Sequence, residues 1–125
     1  MSSRILIVDD SPLVRKLLRK CFDSEPGLEI CGEAGDGKEA IEKAKECHPD
    51  LILLDLSMPV MNGLEAAKVL NESMPSVPLI MFTNYNTTNL AEEAVAVGIS
   101  KVIVKTDPLG DLITCVRSLL VRHVA

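Results

Sequence analysis

The 125-residue sequence predicts an α/β fold, a single doubly wound parallel sheet of five strands in the order 2-1-3-4-5 with five helices. Five short apolar runs alternate with five longer segments of helical period, which is typical of a parallel sheet with helical crossovers on both faces. Four of the runs are apolar at nearly every residue, as strands covered on both faces require. Five strands in this length fit the 2-1-3-4-5 order.

The predicted strands are the apolar runs Arg4–Val8, Leu28–Ala34, Leu51–Leu54, Pro78–Thr83 and Lys101–Val104. The second run is the exception, because it mixes polar residues and glycine with its apolar ones.

The first predicted helix begins with a cap at Ser11 and a proline at its first turn. Its apolar positions recur every three to four residues and predict one buried stripe: Leu13, Val14, Leu17, Leu18, Cys21 and Phe22.

Two later helices begin with the spacing of capping boxes, Asp36 with Glu39 and Asn62 with Glu65. The expected inward positions after them are Ala40, Ile41, Ala44 and Cys47 in the second helix, and Leu64, Ala67, Val69 and Leu70 in the third.

The fourth helix is expected to start at a Thr87 or Thr88 cap and to end before Gly98, a C′ glycine. The fifth is predicted from about Pro108 to His123, with five inward positions, Leu112, Ile113, Val116, Leu119 and Leu120.

Composition excludes several classes of function. The formal net charge is −5 and only three residues are aromatic, which argues against binding of a nucleic-acid backbone or stacking of bases. No apolar run approaches the ~18 residues of a membrane span, and the N-terminus lacks a signal-peptide pattern. The four cysteines form no CxxC pair and favour free thiols in a reducing compartment. We therefore expect one cytoplasmic domain, residues 1–125.

Polar side chains follow four of the five strands. Asp9 and Asp10 follow the first, Asp55 the third and Lys105 the fifth, and Thr83 ends the fourth. Since ligands of such sheets bind at the carboxyl edge, where strand order reverses, we expect these groups to share one crevice.

Three carboxylates so close repel one another unless a cation lies among them, and they suit a hard divalent ion, Mg2+. Asp55 could then serve as a nucleophile toward a phosphoryl group. Mg2+, Lys105 and the Thr83 hydroxyl would supply the charge neutralisation that phosphoryl transfer needs. A single Asp after a strand is usually a turn residue, so the prediction depends on the joint pattern.

Arg4–Asp10 (RILIVDD), Asp50–Gly63 (DLILLDLSMPVMNG), Phe82-Thr83 and Val104-Lys105 closely resemble the receiver domain of two-component response regulators. The resemblance follows the whole chain in order and spacing, and implies the flavodoxin-like receiver fold. It implies a phosphoprotein of a phosphorelay, which takes a phosphoryl group from a sensor histidine kinase or a phosphotransfer protein with Mg2+. Such a chain is not an enzyme beyond slow self-phosphorylation and self-dephosphorylation.

The resemblance also implies a role for each metal-site residue. Asp55 would be the phosphoacceptor and a Mg2+ ligand. Asp10 would bind Mg2+ directly, and Asp9 largely through water. The backbone carbonyl of Ser57 would complete the ligands from the protein.

Two further residues would act on the phosphoryl group by the same resemblance. Thr83 would bond to it and shift the loop after the fourth strand. Lys105 would pair with Asp55 when this residue is free, and with the phosphoryl oxygens afterwards.

Three positions depart from the family pattern. Val102 stands where an aromatic residue usually moves inward on activation, and Tyr85 is a candidate to replace part of that role. Asn84 stands where a small residue usually follows the switch hydroxyl. Thr106 follows the lysine, where proline in a cis bond is common.

Output is expected, by resemblance, through the face made by the fourth helix, fifth strand and fifth helix, which could also form a weak homodimer. The partner would be an unknown protein or an effector domain outside this chain, since 125 residues accommodate only a receiver. The Lys105-x-x-Pro108 ending resembles receivers that precede a helix-turn-helix domain.

Three alternatives remain open. A phosphorylation-independent binding module on a receiver scaffold is the main one, because of Val102 and Asn84. A Mg2+-dependent phosphohydrolase of the haloacid-dehalogenase type would usually carry Asp where this chain has Ser57. A flavodoxin-like FMN binder would need a Ser/Thr-rich loop after the first strand and more aromatic residues.

Overall fold

The computed structural model describes residues 2–84 and 89–124, the last three by their backbone only, and confirms the predicted sheet. Five parallel strands lie in the order β2-β1-β3-β4-β5. The strands are β1 Ser3–Val8, β2 Leu28–Ala34, β3 Leu51–Leu54, β4 Leu79–Thr83 and β5 Lys101–Val104. The helices are α1 Pro12–Asp23, α2 Gly37–Cys47, α3 Gly63–Ser73, α4 Leu90–Ala96 and α5 Leu109–Val124.

Alternate residues of the strands build two separate apolar layers, because successive side chains of a strand point to opposite faces. Ile5 and Ile7 of β1 pack with residues of α1 and α5 on one face. Leu6 and Val8 pack with residues of α2, α3 and α4 on the other. The sheet is therefore covered on both sides, which explains the continuous apolar runs of β1, β3 and β4.

The two outer strands are less buried than the three inner ones. All four residues of β3 are buried, whereas β2 is fully buried only at Leu28 and Ala34, its two ends. In β5 only Ile103 is buried. The polar residues of the second run are thus those of an edge strand.

The predicted helix ends are largely confirmed. The Ser11 side chain accepts a hydrogen bond from the backbone N–H of Val14. Asn62 and Glu65 form a complete capping box. Gly98 follows the C-cap of α4 with a φ of +91°. The predicted caps Thr87 and Thr88 lie outside the described residues.

Three residues expected on buried stripes face solvent instead. Leu13 is 75% exposed, Leu17 53% and Val69 37%. The reason is angular: at about 100° per residue the apolar stripe of α1 spans about half the helix, and the helix buries only the side of this stripe that carries Leu18 and Phe22. On α3 the buried side is formed by Ala66, Ala67 and Leu70, and Val69 lies outside that arc.

Within the described parts of the chain, no helix has the length and apolar character needed to cross a membrane.

Close packing between the start of α3 and the end of β3 fixes the loop that joins them. The backbone N–H of Gly63 donates to the carbonyl of Leu56. A Cβ at Gly63 would lie 2.1 Å from the carbonyl oxygen of Asp55, so only glycine permits this approach.

We predict that Gly63→Ala destabilises the protein by about 1–3 kcal/mol, the usual cost of forcing extra volume into a packed site. The matched control is Gly110→Ala, also near the start of a helix, where a Cβ would have no neighbour within 4 Å. Alanine should stabilise that helix position by about 0.5–1 kcal/mol. Urea unfolding of the three proteins measures both changes, and equal stability of the two variants would contradict the prediction.

Candidate functional site

Four of the five polar side chains predicted to meet lie together at the carboxyl edge of the sheet, those of Asp9, Asp10, Asp55 and Lys105, and Thr83 ends the strand beside Lys105. Asp9, Asp55 and Thr83 are buried, being only 2%, 5% and 0% exposed. The Lys105 side chain is 13% exposed, and Asp10 lies at the surface. Burial of this much polar and charged surface is costly unless the groups satisfy one another.

The sheet itself sets the positions of these residues, because its hydrogen bonds continue one residue past the strand ends. The Asp9 N–H donates to the carbonyl of Ala34, and the Asp55 N–H to that of Val8. The Lys105 N–H donates to the carbonyl of Thr83. The backbone from which these side chains project is therefore fixed by the hydrogen bonds of the sheet.

Lys105 bridges two carboxylates. Its Nζ lies 2.7 Å from Oδ2 of Asp9 and 3.4 Å from Oδ2 of Asp55. The expected pairing of Lys105 with Asp55 is thus present, with Asp9 as the nearer partner. Burial lowers the pKa of Lys105, but the contact with Asp9 and the charges of Asp55 and Asp9 outweigh it, so the net pKa is raised.

The Asp55 carboxyl has a pKa above its ordinary value. Burial is the largest cause, followed by the charge of Asp9. Lys105 and the Leu56 N–H, which donates to Oδ1 of Asp55 at 2.9 Å, oppose the shift only in part. The ionised carboxylate is therefore held in surroundings that favour neutralisation of its charge.

Both carboxylate oxygens of Asp9 have partners. Its Oδ1 accepts a hydrogen bond from the Ser11 N–H at 2.9 Å. Its buried Oδ2 forms an ion pair with Lys105, at 2.7 Å from Nζ. A metal ion bound at Oδ2 would share this oxygen with the Lys105 ammonium.

Asp9, Asp10 and Asp55 can hold a divalent metal ion. One carboxylate oxygen from each lies within 4.8 Å of the other two. Hard oxygen donors from a few carboxylates, one of them open to water, match Mg2+, which retains several water ligands. The residues present therefore fit the predicted ion.

Ser57 lies two residues after Asp55, in the loop between β3 and α3, and is exposed. The predicted role of its carbonyl as a metal ligand stays a prediction.

The same loop contains a strained turn that the sequence does not predict. Val60 has a φ of +67°, and the Met61 N–H donates to the Pro59 carbonyl at 2.7 Å, which closes a three-residue turn. A β-branched residue disfavours this backbone region, at a cost on the order of 1–3 kcal/mol. Strain of this kind is concentrated at functional sites.

Sequence reasoning also missed Arg15, on α1. Its Nη1 donates to the backbone carbonyl of Asp9 at 2.6 Å, and its Nε donates to Oε1 of Glu33 at 3.2 Å. The opposite charges of Arg15, on α1, and Glu33, on β2, were a cue in the sequence. The spacing of the two residues along the chain does not show that they form a pair.

The departures from the receiver pattern lie where the sequence placed them. Val102 is half-buried in β5 and packs against the layer that includes α4. Asn84 follows Thr83 and is exposed. Among the described residues no peptide bond is cis, including the one before Thr106. Tyr85 lies outside the described residues.

Comparison with known proteins identifies relatives over most of the chain. The model of the response regulator receiver domain family matches residues 5–117. A protein-glutamate methylesterase/protein-glutamine glutaminase of Pyrococcus abyssi is 51% identical over 80 residues, which are 64% of this chain and 22% of that protein. The transcriptional regulatory protein LnrK of Bacillus subtilis is 38% identical over 96% of this chain and 53% of its own length. The chain thus spans about a fifth of the first relative and about half of the second.

A solved structure has the same fold. The complex of CheX and CheY with BeF3 and Mg2+ from Borrelia burgdorferi contains a chain that is 31% identical, with a TM-score of 0.88 over 94% of this chain and 88% of that one. The family match, the sheet order and the acidic edge agree, and the chain belongs to the response regulator receiver domain family.

Proposed function

We propose that residues 1–125 act as one receiver domain that accepts a phosphoryl group on Asp55 from the phosphohistidine of a sensor kinase or phosphotransfer protein, with Mg2+. The observation that carries this proposal is the buried Asp55 carboxylate beside Lys105 and two further aspartates, in a chain of the receiver family. The proposed setting is the cytoplasm.

The reaction exchanges one bond to phosphorus for another. A carboxylate oxygen of Asp55 forms an O–P bond as the P–N bond to the donor's imidazole breaks. The electron pair of that bond remains on the imidazole nitrogen, and the products are an acyl phosphate and a free histidine. Little other chemistry is needed, so positioning and charge neutralisation decide the rate.

The residues at the edge divide these tasks. Lys105, already between two carboxylates, supplies a positive charge for the phosphoryl oxygens. The Thr83 hydroxyl is proposed to donate a hydrogen bond to one of them. Asp9 and Asp10, with Asp55 and the Ser57 carbonyl, would hold Mg2+, which when bound neutralises charge on the transferring group. A related CheY chain was solved in a complex containing Mg2+, which supports this choice of ion.

The electrostatics of the site make the Asp55 carboxylate more basic. The Asp55 carboxylate is destabilised by burial and by the charge of Asp9, which raises its pKa. A more basic carboxylate is a better nucleophile, provided that it is ionised. The protein therefore destabilises the ionised form of Asp55, which is the form that reacts.

A binding module that does not depend on phosphorylation remains the second candidate. It is favoured by Val102, whose short aliphatic side chain in β5 cannot supply an aromatic switch between buried and exposed positions. The discriminating measurement is the affinity of an output partner for the protein with and without the phosphoryl group. Equal affinities would favour the module, and a change would favour the switch.

Phosphoryl acceptance without rapid turnover is proposed in preference to phosphohydrolase activity. The residue two positions after the nucleophile is Ser57, which cannot act as the general acid or base that a carboxylate at this position would provide. Steady release of phosphate from phosphomonoesters would contradict this.

We predict that a small acyl phosphate such as acetyl phosphate, with Mg2+, adds one phosphoryl group to the wild type and none to Asp55→Asn. The amide nitrogen of asparagine is not a nucleophile toward phosphorus, whereas the shape of the site is retained. The matched control is Asp50→Asn, the same change at the opposite end of β3, which should be phosphorylated normally. Intact-mass measurement decides, and a phosphorylated Asp55→Asn would contradict the proposal.

We also predict that Asp55→Asn stabilises the protein near neutral pH in the absence of divalent cations. Because the folded-state pKa of Asp55 is raised above 3.8, its ordinary value, the folded protein loses stability as pH rises through that raised pKa. Asparagine removes this loss, so the gain should be largest at neutral pH and disappear below the ordinary pKa. Urea unfolding across this range in EDTA measures it, and a difference that does not vary with pH would be inconsistent with the assigned shift.

A further inference from the structure

Arg15 connects the acidic pair to two other elements of the fold. From α1, its guanidinium reaches the backbone carbonyl of Asp9 at the end of β1, with an Nη1–O distance of 2.6 Å. The same guanidinium contacts Glu33 of β2 through Nε, at 3.2 Å. The Arg15 and Glu33 side chains are 22% and 30% exposed, so both are largely removed from water.

The carbonyl that Arg15 binds belongs to the peptide between Asp9 and Asp10. The N–H of Asp9, which belongs to the preceding peptide, is held by the Ala34 carbonyl at 3.0 Å. The backbone is therefore held on both sides of the Asp9 Cα, and the two acidic side chains leave from the two ends of the Asp9–Asp10 peptide. Contacts that fix this backbone help to set the relative placement of two of the three clustered carboxylates.

We propose that Arg15 is a positioning residue for the divalent cation, which acts through the Asp9 carbonyl and is itself held by Glu33. The inference rests on the proposed Mg2+-dependent function. Groups that orient metal ligands without touching the metal change metal affinity by about 10- to 100-fold when they are removed.

Charge alone would give Arg15 the opposite effect. A positive group near a cation site repels the cation, so loss of the charge by itself would strengthen binding. Glu33 offsets this charge, and it also pairs with Arg19 at 2.7 Å. The contribution of Arg15 to cation binding is therefore geometric, and it depends on a planar fork that can serve Glu33 and the Asp9 carbonyl together.

The test replaces the fork but keeps the charge. In the wild type, two guanidinium nitrogens of Arg15 bind Glu33 and the Asp9 carbonyl. Arg15→Lys replaces them by a single ammonium, and should weaken Mg2+ binding about 10-fold. The matched control is Arg19→Lys, one turn along the same helix, where the arginine pairs with the same Glu33 and, within residues 2–84 and 89–121, hydrogen-bonds to that carboxylate alone. Its Mg2+ affinity should stay within about twofold of the wild type, as expected for an exposed ion pair.

Isothermal titration of Mg2+ into wild type, Arg15→Lys and Arg19→Lys measures these affinities, and melting in EDTA measures any general loss of stability. A second readout is the Mg2+ dependence of phosphorylation by acetyl phosphate. In Arg15→Lys the half-saturating Mg2+ concentration should rise by the factor seen in titration, with the rate at saturating Mg2+ unchanged. If Arg15→Lys fails to fold, Arg15→Met serves as the second variant, because loss of the charge alone would strengthen Mg2+ binding and only loss of positioning would weaken it.

The outcomes separate this inference from the function on which it rests. Wild type that neither binds Mg2+ nor becomes phosphorylated would overturn the proposed function. Wild type that does both, with Arg15→Lys unchanged or Arg19→Lys equally weakened, would overturn the role of Arg15 alone. Tighter Mg2+ binding by Arg15→Met than by the wild type, with Arg15→Lys unchanged, would show that only charge matters and would also overturn it.

Discussion

The placement of two buried carboxylates side by side is the constraint on which the site depends. Asp9 and Asp55 are almost fully removed from water, and the charge of Asp9 adds to the cost of charge on Asp55. Lys105 lies between them and compensates in part. The proposed function uses the remaining negative charge, which would favour a bound cation and would make the Asp55 carboxylate a better nucleophile. A crevice whose charges were fully neutralised by its own side chains would have neither property.

The fold and the residues of the site could be predicted from the sequence because both depend on periodicity. Continuous apolar runs followed by Asp, Thr or Lys place those residues at one edge whatever the details of the helices. The exposure of Leu13, Leu17 and Val69 could not be predicted in this way, since a helical stripe shows which residues are apolar but not which arc of the stripe meets the sheet. The positive φ of Val60 could not be predicted either, because valine rarely adopts that backbone region.

Only part of the pairing within the site was predicted. The resemblance implied that Lys105 pairs with Asp55, but not that Lys105 lies nearer to Asp9, which is a difference of less than one ångström between two distances. The contact between Arg15 and the Asp9 carbonyl joins a side chain to a backbone atom, and backbone atoms carry no signal in a sequence. Residue type thus indicates which chemistry is present, and the folded geometry decides which partner each group takes.

The two apolar layers have a consequence for how β1 can vary in length. Ile5 and Ile7 belong to one layer, Leu6 and Val8 to the other, and Asp9 follows them directly. Insertion or deletion of one residue would exchange the layers of every following position and carry the aspartate to the wrong face. The length of β1 must therefore keep its parity, and the candidate metal site inherits that restriction through Asp9.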